Sequence, residues 1–270
     1  MIAMRRVHRA MTLLKPTILV AVTLLLSLVT SSTAFAASQP APGSTGFDFS
    51  FPQCGDVNVP NKVAVGAPYQ FAIIGVNHGK AFIPNDCLAS EVEVAAAEGI
   101  PMSFVINLNA PRQTSSAGAS DLTALQAICA PGDDACWNYA YGWSAGQDAY
   151  SYTEQTLQSL GETSVPLSWW MDIETANYWT ADPSLNDQVI QGAIDFFQQT
   201  ISGAVMGVYS APSEWSTIAG PDYQPGVPTW LAGATSLAAA SRLCSGTSLT
   251  GGPIALVQYA TRRLDIDHAC

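Results

Sequence analysis

The stretch Ser168-Trp169-Trp170-Met171-Asp172-Ile173-Glu174 decides how this chain is interpreted, because an apolar run ends in two acids. Side chains of a β-strand alternate between two faces, so Asp172 and Glu174 share a face with Trp170. The opposite face carries Trp169, Met171 and Ile173. Burying unpaired carboxylates is costly, so a strand that only filled a core would not carry them. We interpret this strand as part of a catalytic site; a surface strand whose acids face water is the alternative.

The first 36 residues have the features of a secretory signal peptide. A basic start precedes an apolar run over residues 17–29 and the small-residue motif Ala34-Phe35-Ala36, which is the order that such peptides show. An uncleaved membrane anchor is the alternative. We predict cleavage after residue 36, a disordered lead-in over residues 37–45, and a single barrel domain over residues 46–270. The mature protein is expected outside the cell or in the cell wall.

Charge limits the class of partner. Residues 1–36 hold four of the ten basic residues and none of the 21 acids. The remaining six basic and 21 acidic residues give the mature chain a formal net charge of −15. Nucleic acid and anionic membrane surfaces are disfavoured as partners, because both attract Lys and Arg. With only 11% charged residues, the surface suits a polar ligand such as a polysaccharide, and we expect a monomer.

Six cysteines in a secreted chain predict three disulfides. Six cysteines allow 15 pairings, which sequence alone does not distinguish. The most local pairing, which we favour, joins Cys54 to Cys87, Cys129 to Cys136, and Cys244 to Cys270. A metal site is disfavoured because the chain has no C-x-x-C motif and only two histidines, His78 and His268, after the leader. The sequence indicates no cofactor.

Strands and helices alternate along the chain. Apolar runs predict strands over residues 46–50, 71–76, 101–108, 166–174, 205–209, 228–233, 254–259 and 264–268. Helical spacing and end signals predict helices over 86–98, 185–201 and 212–218, with one or two more over 134–160. Mostly unalternating strands between helices are typical of a parallel sheet. We predict an α/β fold, specifically a modified TIM-type (β/α) barrel. A nucleotide-binding fold is disfavoured because no glycine-rich phosphate loop follows any predicted strand.

Acids fall near the carboxyl ends of several predicted strands, where a barrel of this type has its active site. The candidates for catalysis are Asp48, Asp172, Glu174 and Asp265. Two residues apart on a strand, the carboxyls of Asp172 and Glu174 would be about 6–7 Å apart and repel by roughly 2.5 kcal/mol. One of them then keeps its proton. We predict Glu174 as the proton donor and Asp172 as its ionised partner, in acid/base chemistry on a sugar.

Other polar and aromatic residues at strand ends are candidates for substrate binding. They are Asn107, Tyr209, Trp230, Gln258 and Tyr259. Aromatic rings stack on sugars, but packing in the core explains Tyr209 and Trp230 equally well. We assign Asp267 only to backbone contacts. An esterase is disfavoured because no serine lies in a G-x-S-x-G elbow.

An ordered set of short motifs carries a resemblance to a known family. The motifs are Gly46-Phe47-Asp48-Phe49-Ser50, Asp172-Ile173-Glu174, Gly207-Val208-Tyr209-Ser210, Trp230-Leu231-Ala232, Val257-Gln258-Tyr259 and Asp265-Ile266-Asp267. In this order the chain resembles glycoside hydrolase family 25, the secreted muramidases, or a related glycoside-hydrolase-like barrel. The resemblance covers nearly the whole mature chain.

The resemblance implies a modified barrel that hydrolyses the β-1,4 bond between N-acetylmuramic acid and N-acetylglucosamine. It makes Glu174 the general acid/base. Asp172 would orient the acetamido group of the substrate or stabilise the developing positive charge. Asp48 and Asp265 would flank the cleft, and the route would be substrate-assisted with retention. The segment after Asp48 lacks the usual Trp-containing turn, so a barrel that binds glycan without cleaving it is the alternative. A chitinase-like hydrolase ranks lower, since only one acid precedes Glu174 at alternate positions.

Overall fold

The computed structural model describes residues 39–54, 69–97, 99–112, 129–260 and 265–270. Within these ranges eight strands close into a barrel in sequence order. The strands are β1 (Thr45–Phe49), β2 (Ala72–Gly75), β3 (Met102–Asn107), β4 (Ser168–Asp172), β5 (Val205–Ser210), β6 (Thr229–Ala234), β7 (Ile254–Ala260) and β8 (Asp265–Ala269). Neighbours from β1 to β7 are parallel, whereas β8 is antiparallel to β7 and β1. The predicted modified, mostly parallel barrel is confirmed.

Helices connect most of the strands. In the described ranges they are α1 (Leu88–Ala97), α2 (Asp134–Ser159), α3 (Pro183–Thr200), α4 (Pro212–Ile218) and α5 (Leu237–Leu243). The predicted helices agree to within a few residues, and 134–160 forms one helix. Helix α5 was not predicted. It begins after Ser236, whose side chain accepts the Ala239 N–H as an N-cap.

The two faces of β4 are used as the alternation predicts. Trp169 lies between barrel and helices, with its ring centroid 4.7 Å from that of Phe197 in α3. Trp170 points the other way and meets Trp230 edge-on at 5.7 Å. The expectation that Trp170 and Asp172 share an inward face is therefore confirmed.

An apolar layer fills part of the barrel interior. Its buried side chains are Phe71, Ile73, Trp170, Trp230, Leu256 and Ala269. They come from β2, β4, β6, β7 and β8 and from the residue before β2, so strands on different sides of the barrel meet across its interior. Gly207 in β5 makes room for this layer, because a Cβ there would lie 2.3 Å from the Trp170 ring. Asp48 and Asp172 lie toward the carboxyl ends of β1 and β4, and Asp265 begins the antiparallel β8 at the same end of the barrel.

Helices α2 and α3 pack backbone to backbone outside the barrel. A Cβ at Gly142 would lie 1.8 Å from the carbonyl oxygen of Val189. A Cβ at Gly192 would lie 2.0 Å from the carbonyl oxygen of Tyr139. The two glycines therefore allow a close crossing that larger residues would prevent, and Trp169 of β4 packs against this pair of helices through Tyr150 and Phe197.

The barrel starts slightly earlier than expected. Strand β1 begins at Thr45, and the Gly43 N–H donates to the Ala269 carbonyl at 2.8 Å. The end of the predicted lead-in 37–45 is thus attached to β8, because β8 offers backbone partners there. The predicted signal peptide lies outside the described residues. Among the described helices, none has both the length and the apolar character needed to cross a membrane.

All three predicted disulfides are confirmed. Bonds join Cys54 to Cys87, Cys129 to Cys136, and Cys244 to Cys270. The third bond links the end of α5 to the residue after β8. It therefore fastens the only described strand that runs antiparallel to its neighbours.

Candidate active site

A cleft of about 420 Å³ opens at the carboxyl ends of the barrel strands, within the size range of ligand sites. The structure brings eight of the predicted site residues to its walls: Asp48, Asn107, Asp172, Glu174, Tyr209, Trp230, Gln258 and Asp265. The walls also contain residues that were not predicted: Phe49, Ser50, Phe51, Pro52, Gly75, Gly79, Val105, Ala176 and Asn177. The cleft is thus formed by the loops after β1, β2 and β4 as well as by the strands.

Tyr259 is the predicted site residue that the structure places elsewhere. On β7 the inward positions are Leu256 and Gln258, so Tyr259 faces outward and packs with Leu231 and Val257. Strand alternation, which separates neighbouring residues, gives the reason. The prediction that Tyr259 binds the ligand is corrected accordingly.

Asp172 and Glu174 form a hydrogen-bonded carboxyl pair. This contact is closer than the 6–7 Å expected on a continuous strand, because β4 ends at Asp172 and Glu174 lies beyond it. Asp172 is only 9% exposed, and its Oδ2 accepts a short hydrogen bond from the Asn107 side chain. Its Oδ1 is buried as well and accepts no N–H or O–H from the described residues. Within those residues, Asn107 thus supplies the N–H donor for this carboxyl.

Burial raises the pKa of both acids in this pair. The pKa of Asp172 lies well above its usual range because of burial and the charge and contact of Glu174. Burial and the charge of Glu214 raise the pKa of Glu174, whereas its bond to Asp172 lowers it. Two carboxyls in contact share a proton between them. The predicted roles, with Glu174 as proton donor and Asp172 as its ionised partner, stay a prediction.

Glu214 is a charged neighbour that the sequence analysis missed. It lies in the first turn of α4 and accepts hydrogen bonds from the Thr175 N–H and hydroxyl, at 3.2 and 2.7 Å. This holds its negative charge beside the loop that carries Glu174. An acid in the helix that directly follows a barrel strand was the available signal.

A second polar chain crosses the cleft. The Tyr209 hydroxyl donates to Gln258 Oε1 at 2.8 Å, and Gln258 Nε2 donates to Asp48 Oδ2 at 2.8 Å. Burial raises the pKa of Asp48 from 3.8 to about 7, and the bond from Gln258 partly offsets this. Burial and nearby acids raise the pKa of Tyr209, so its hydroxyl stays a donor. The neutral side-chain amide of Gln258 therefore fixes the position of the Asp48 carboxyl.

Strand β8 contributes two inward acids instead of one. Burial raises the pKa of Asp265, which lines the cleft. Asp267 is fully buried and contacts Asp48, so its assignment to backbone contacts alone is corrected. Residues two apart on a strand share a face, and this rule applied to Asp265 would have found Asp267.

Trp230 and Tyr209 pack together at 4.5 Å between ring centroids. Trp230 is only 2% exposed, so most of its ring fills the barrel and little surface remains for a ligand. Tyr209 is less buried and lies on the cleft wall. Of the two aromatic candidates, Tyr209 is the better placed to contact a sugar.

The described cleft walls include no lysine, arginine or histidine. In the described residues, no group of three or more His, Cys, Asp and Glu side chains is arranged to hold a metal ion. The acids are therefore stabilised by protons and neutral amides. Such a lining favours an uncharged, hydroxyl- and amide-rich ligand over an anion.

Comparison with known proteins gives similarity at the level of structure. No protein-family model matches the chain, and no curated protein sequence matches it. Three solved structures illustrate the similarity. The bacterial lysozyme from Streptomyces coelicolor is 16% identical, with a TM-score of 0.52 over 85% of this chain and 93% of the lysozyme. The muramidase from Acremonium alcalophilum is 14% identical, with a TM-score of 0.51 over 84% and 93% of the two chains.

The spore cortex lytic enzyme SleM from Clostridium perfringens is 12% identical, with a TM-score of 0.54 over 84% of this chain and 67% of SleM. At such identities the likeness concerns the fold. The chain thus has a fold like that of glycoside hydrolase family 25, as the ordered motifs implied.

Proposed function

We propose that this protein is a secreted glycoside hydrolase that cleaves the β-1,4 bond between N-acetylmuramic acid and N-acetylglucosamine in bacterial peptidoglycan. The observation that carries the proposal is the proton-sharing pair of Asp172 and Glu174 at the mouth of an acidic barrel cleft. A fold shared with lysozymes and muramidases supports it. A general acid beside an ionised carboxylate is what glycosidic bond cleavage requires.

The first step is transfer of the shared proton. An acetamido N–H of the glycan takes over the contact that Glu174 makes with the Asp172 carboxyl, which favours the ionised form of Asp172. The proton then moves to Glu174, which is less buried and faces the cleft. Glu174 donates it to the glycosidic oxygen as the bond to the leaving sugar breaks.

The second step is capture of the sugar cation. With Asp172 ionised and hydrogen-bonded to the acetamido nitrogen, the acetamido oxygen is oriented toward the anomeric carbon and attacks it. Glu174, now a carboxylate, takes a proton from the water that opens the resulting ring, so the product retains its configuration. Asn107 fixes Asp172 throughout by its bond to Oδ2. Asp48 and Asp265 flank the site, and their carboxyls favour the developing positive charge.

The test is the Glu174→Gln variant on purified peptidoglycan, with release of new reducing ends as the measure. A loss of about 10²–10⁴ in kcat/KM is expected for removal of a general acid. Glu154→Gln on the exposed face of α2 is the matched control, since it makes the same change outside the cleft. Full activity of Glu174→Gln would overturn the assignment.

The same assay separates the alternative function. A wild-type protein that binds muropeptides without turnover over long incubation would identify a catalytically silent glycan-binding barrel. Analysis of the new reducing end decides between muramidase and chitinase-like specificity, because the two leave different sugars there.

Secretion is the remaining part of the proposal. Three disulfides favour an oxidising compartment, and the leader sequence agrees. N-terminal sequencing of protein collected from culture medium tests it, with Ala37 expected as the first residue. A first residue before the apolar run of 17–29 would support the membrane anchor instead.

A further inference from the structure

Asp267 is buried without an ordinary partner. It lies in β8 opposite Gln258 of β7 and Gly46 of β1. Its side chain is 0% exposed, and neither carboxyl oxygen accepts an N–H or O–H from the described residues. The indole of Trp230 lies close enough to lower its pKa, but no well-formed hydrogen bond joins them. An ionised carboxylate in this position would be strongly unfavourable.

The neighbour within hydrogen-bonding reach is another acid, Asp48. Two carboxylates are both acceptors, so they form a bond only when one of them holds a proton. Asp48 already receives a hydrogen bond from Gln258 Nε2, which favours its ionised form. The Trp230 indole N–H near Asp267 makes no hydrogen bond of normal geometry with it, so Asp267 has no comparable donor. The single proton therefore belongs on Asp267.

We propose that Asp267 carries a buried proton and donates it to Asp48, which makes Asp267 a positioning residue for the cleft. Asp267 does not line the cleft, so it acts on a ligand only through Asp48. Together with Gln258 it holds the Asp48 carboxylate from two sides. Its role in turnover rests on the proposed function, whereas the buried proton does not.

The ionisable groups that surround Asp48 and Asp267 are all acidic. The titratable side chains turned toward it are Asp265 of β8, Asp172 of β4, Glu174 beyond β4 and Tyr209 of β5. The neutral side chains of the other strands are Ile73 of β2, Asn107 of β3, Trp230 of β6 and Gln258 of β7. No described cation faces the pair, so nothing but the proton compensates the two acids. The raised pKa of Asp267 agrees with this.

The proton is tested by stability against pH in Asp267→Asn. The amide is nearly isosteric and donates to Asp48 at every pH, so the variant needs no proton there. Between pH 4 and 7 the wild type should lose up to about tenfold more in its folding equilibrium constant per pH unit than the variant. Equal slopes in urea titrations of the two proteins would overturn the proposal.

A matched control is Asp187→Asn. Burial raises the pKa of Asp187 to about 7, and this residue lies in α3, away from the cleft walls. The control should also flatten the stability profile, because it removes one raised carboxyl. It should leave kcat/KM on peptidoglycan unchanged. The control therefore shows whether a flatter dependence of stability on pH by itself reduces activity.

The positioning role is tested by rescue. Asp267→Asn should keep kcat near the wild-type value at pH 5, whereas Asp267→Leu, which cannot donate, should lower kcat by about tenfold or more with less effect on KM. Equal kcat for Asn and Leu would overturn the positioning role. If Leu does not fold, kcat of the Asn variant decides: a loss as large as that expected for Leu overturns the role. If the wild type is inert on peptidoglycan, the proposed function fails. The dependence of stability on pH still decides whether Asp267 carries the buried proton.

Discussion

The cleft contains two carboxyl pairs that share one kind of contact and differ in access to solvent. The outer pair, Asp172 and Glu174, comes from one strand end and opens to the cleft. The inner pair, Asp48 and Asp267, joins two strands that meet only when the barrel closes. A ligand can reach and move the outer proton, whereas Asp267 is fully buried. The outer pair is therefore suited to chemistry and the inner pair to holding the site in place.

The largest expected effect comes from breaking the outer pair. Asp172→Asn removes the carboxyl that supplies the proton and accepts the acetamido N–H, while keeping the size of the side chain. We expect kcat/KM on peptidoglycan to fall by about 10²–10⁴, with the fold retained. Reducing-end release and circular dichroism measure the two outcomes. Activity close to wild type would mean that Glu174 needs no partner.

The inner pair, Asp48 and Asp267, should make the free energy of unfolding depend on pH. The folded pKa of Asp48 is about 7 against an ordinary 3.8, and that of Asp267 is also raised. A folded state that binds protons more tightly than the unfolded state is most stable at low pH. The free energy of unfolding should therefore fall as the pH rises from about 4 through 7, by up to about 1.4 kcal/mol per pH unit for the proton that the pair shares. Urea titrations at several pH values test this, and a stability that rises over this range would contradict it.

A smaller effect is expected from cutting the amide that supports the inner pair. Gln258→Leu leaves the Asp48 carboxylate and the Tyr209 hydroxyl without their bonds, which should cost about 1–3 kcal/mol. Tyr209→Phe removes only the far end of this chain and should cost about 1 kcal/mol. The comparison is made by thermal unfolding at one pH. Equal losses would show that Asp48 does not depend on Gln258.

The smallest effect concerns the charge beside the outer pair. Glu214→Gln keeps the bonds to Thr175 and removes the negative charge that raises the pKa of Glu174. The upper pH limit of kcat/KM should move down by roughly half a pH unit, since a partly exposed charge contact is worth about 0.2–1 kcal/mol. High salt should abolish the difference by screening. A shift to higher pH would contradict this role of Glu214.

Strand alternation predicted which side of each strand faces the cleft. It placed Trp170 with Asp172 and Trp169 on the opposite face, as the structure has them. It applies equally to Tyr259 and Asp267, although Gln258 and Tyr259 were both predicted to bind the ligand and Asp267 was predicted to differ from Asp265. Those two errors concern the use of the rule, since one residue of each neighbouring pair must face away.

Other features depend on information that periodicity does not contain. The end of β4 at Asp172 lets Glu174 fold back into contact, and a local pattern of apolar residues does not mark that end. Asp172 is more deeply buried than Glu174, and such depth follows from how neighbouring strands are staggered. The contact between Asp48 and Asp267 spans more than 200 positions and exists only after closure. Helix α5 was missed although Ser236 and the following alanines favour a helix start.

The antiparallel return of β8 has a consequence for biosynthesis. Asp265 and Asp267 come from the strand that is synthesised after the other seven, and they complete walls begun by Asp48 in the first. While the chain is being made, the acids on β1 and β4 remain apart from those on β8, and the cleft does not exist. An emerging chain therefore exposes no finished site to its surroundings, and the cleft is complete only with the pairing of the first strand and the eighth.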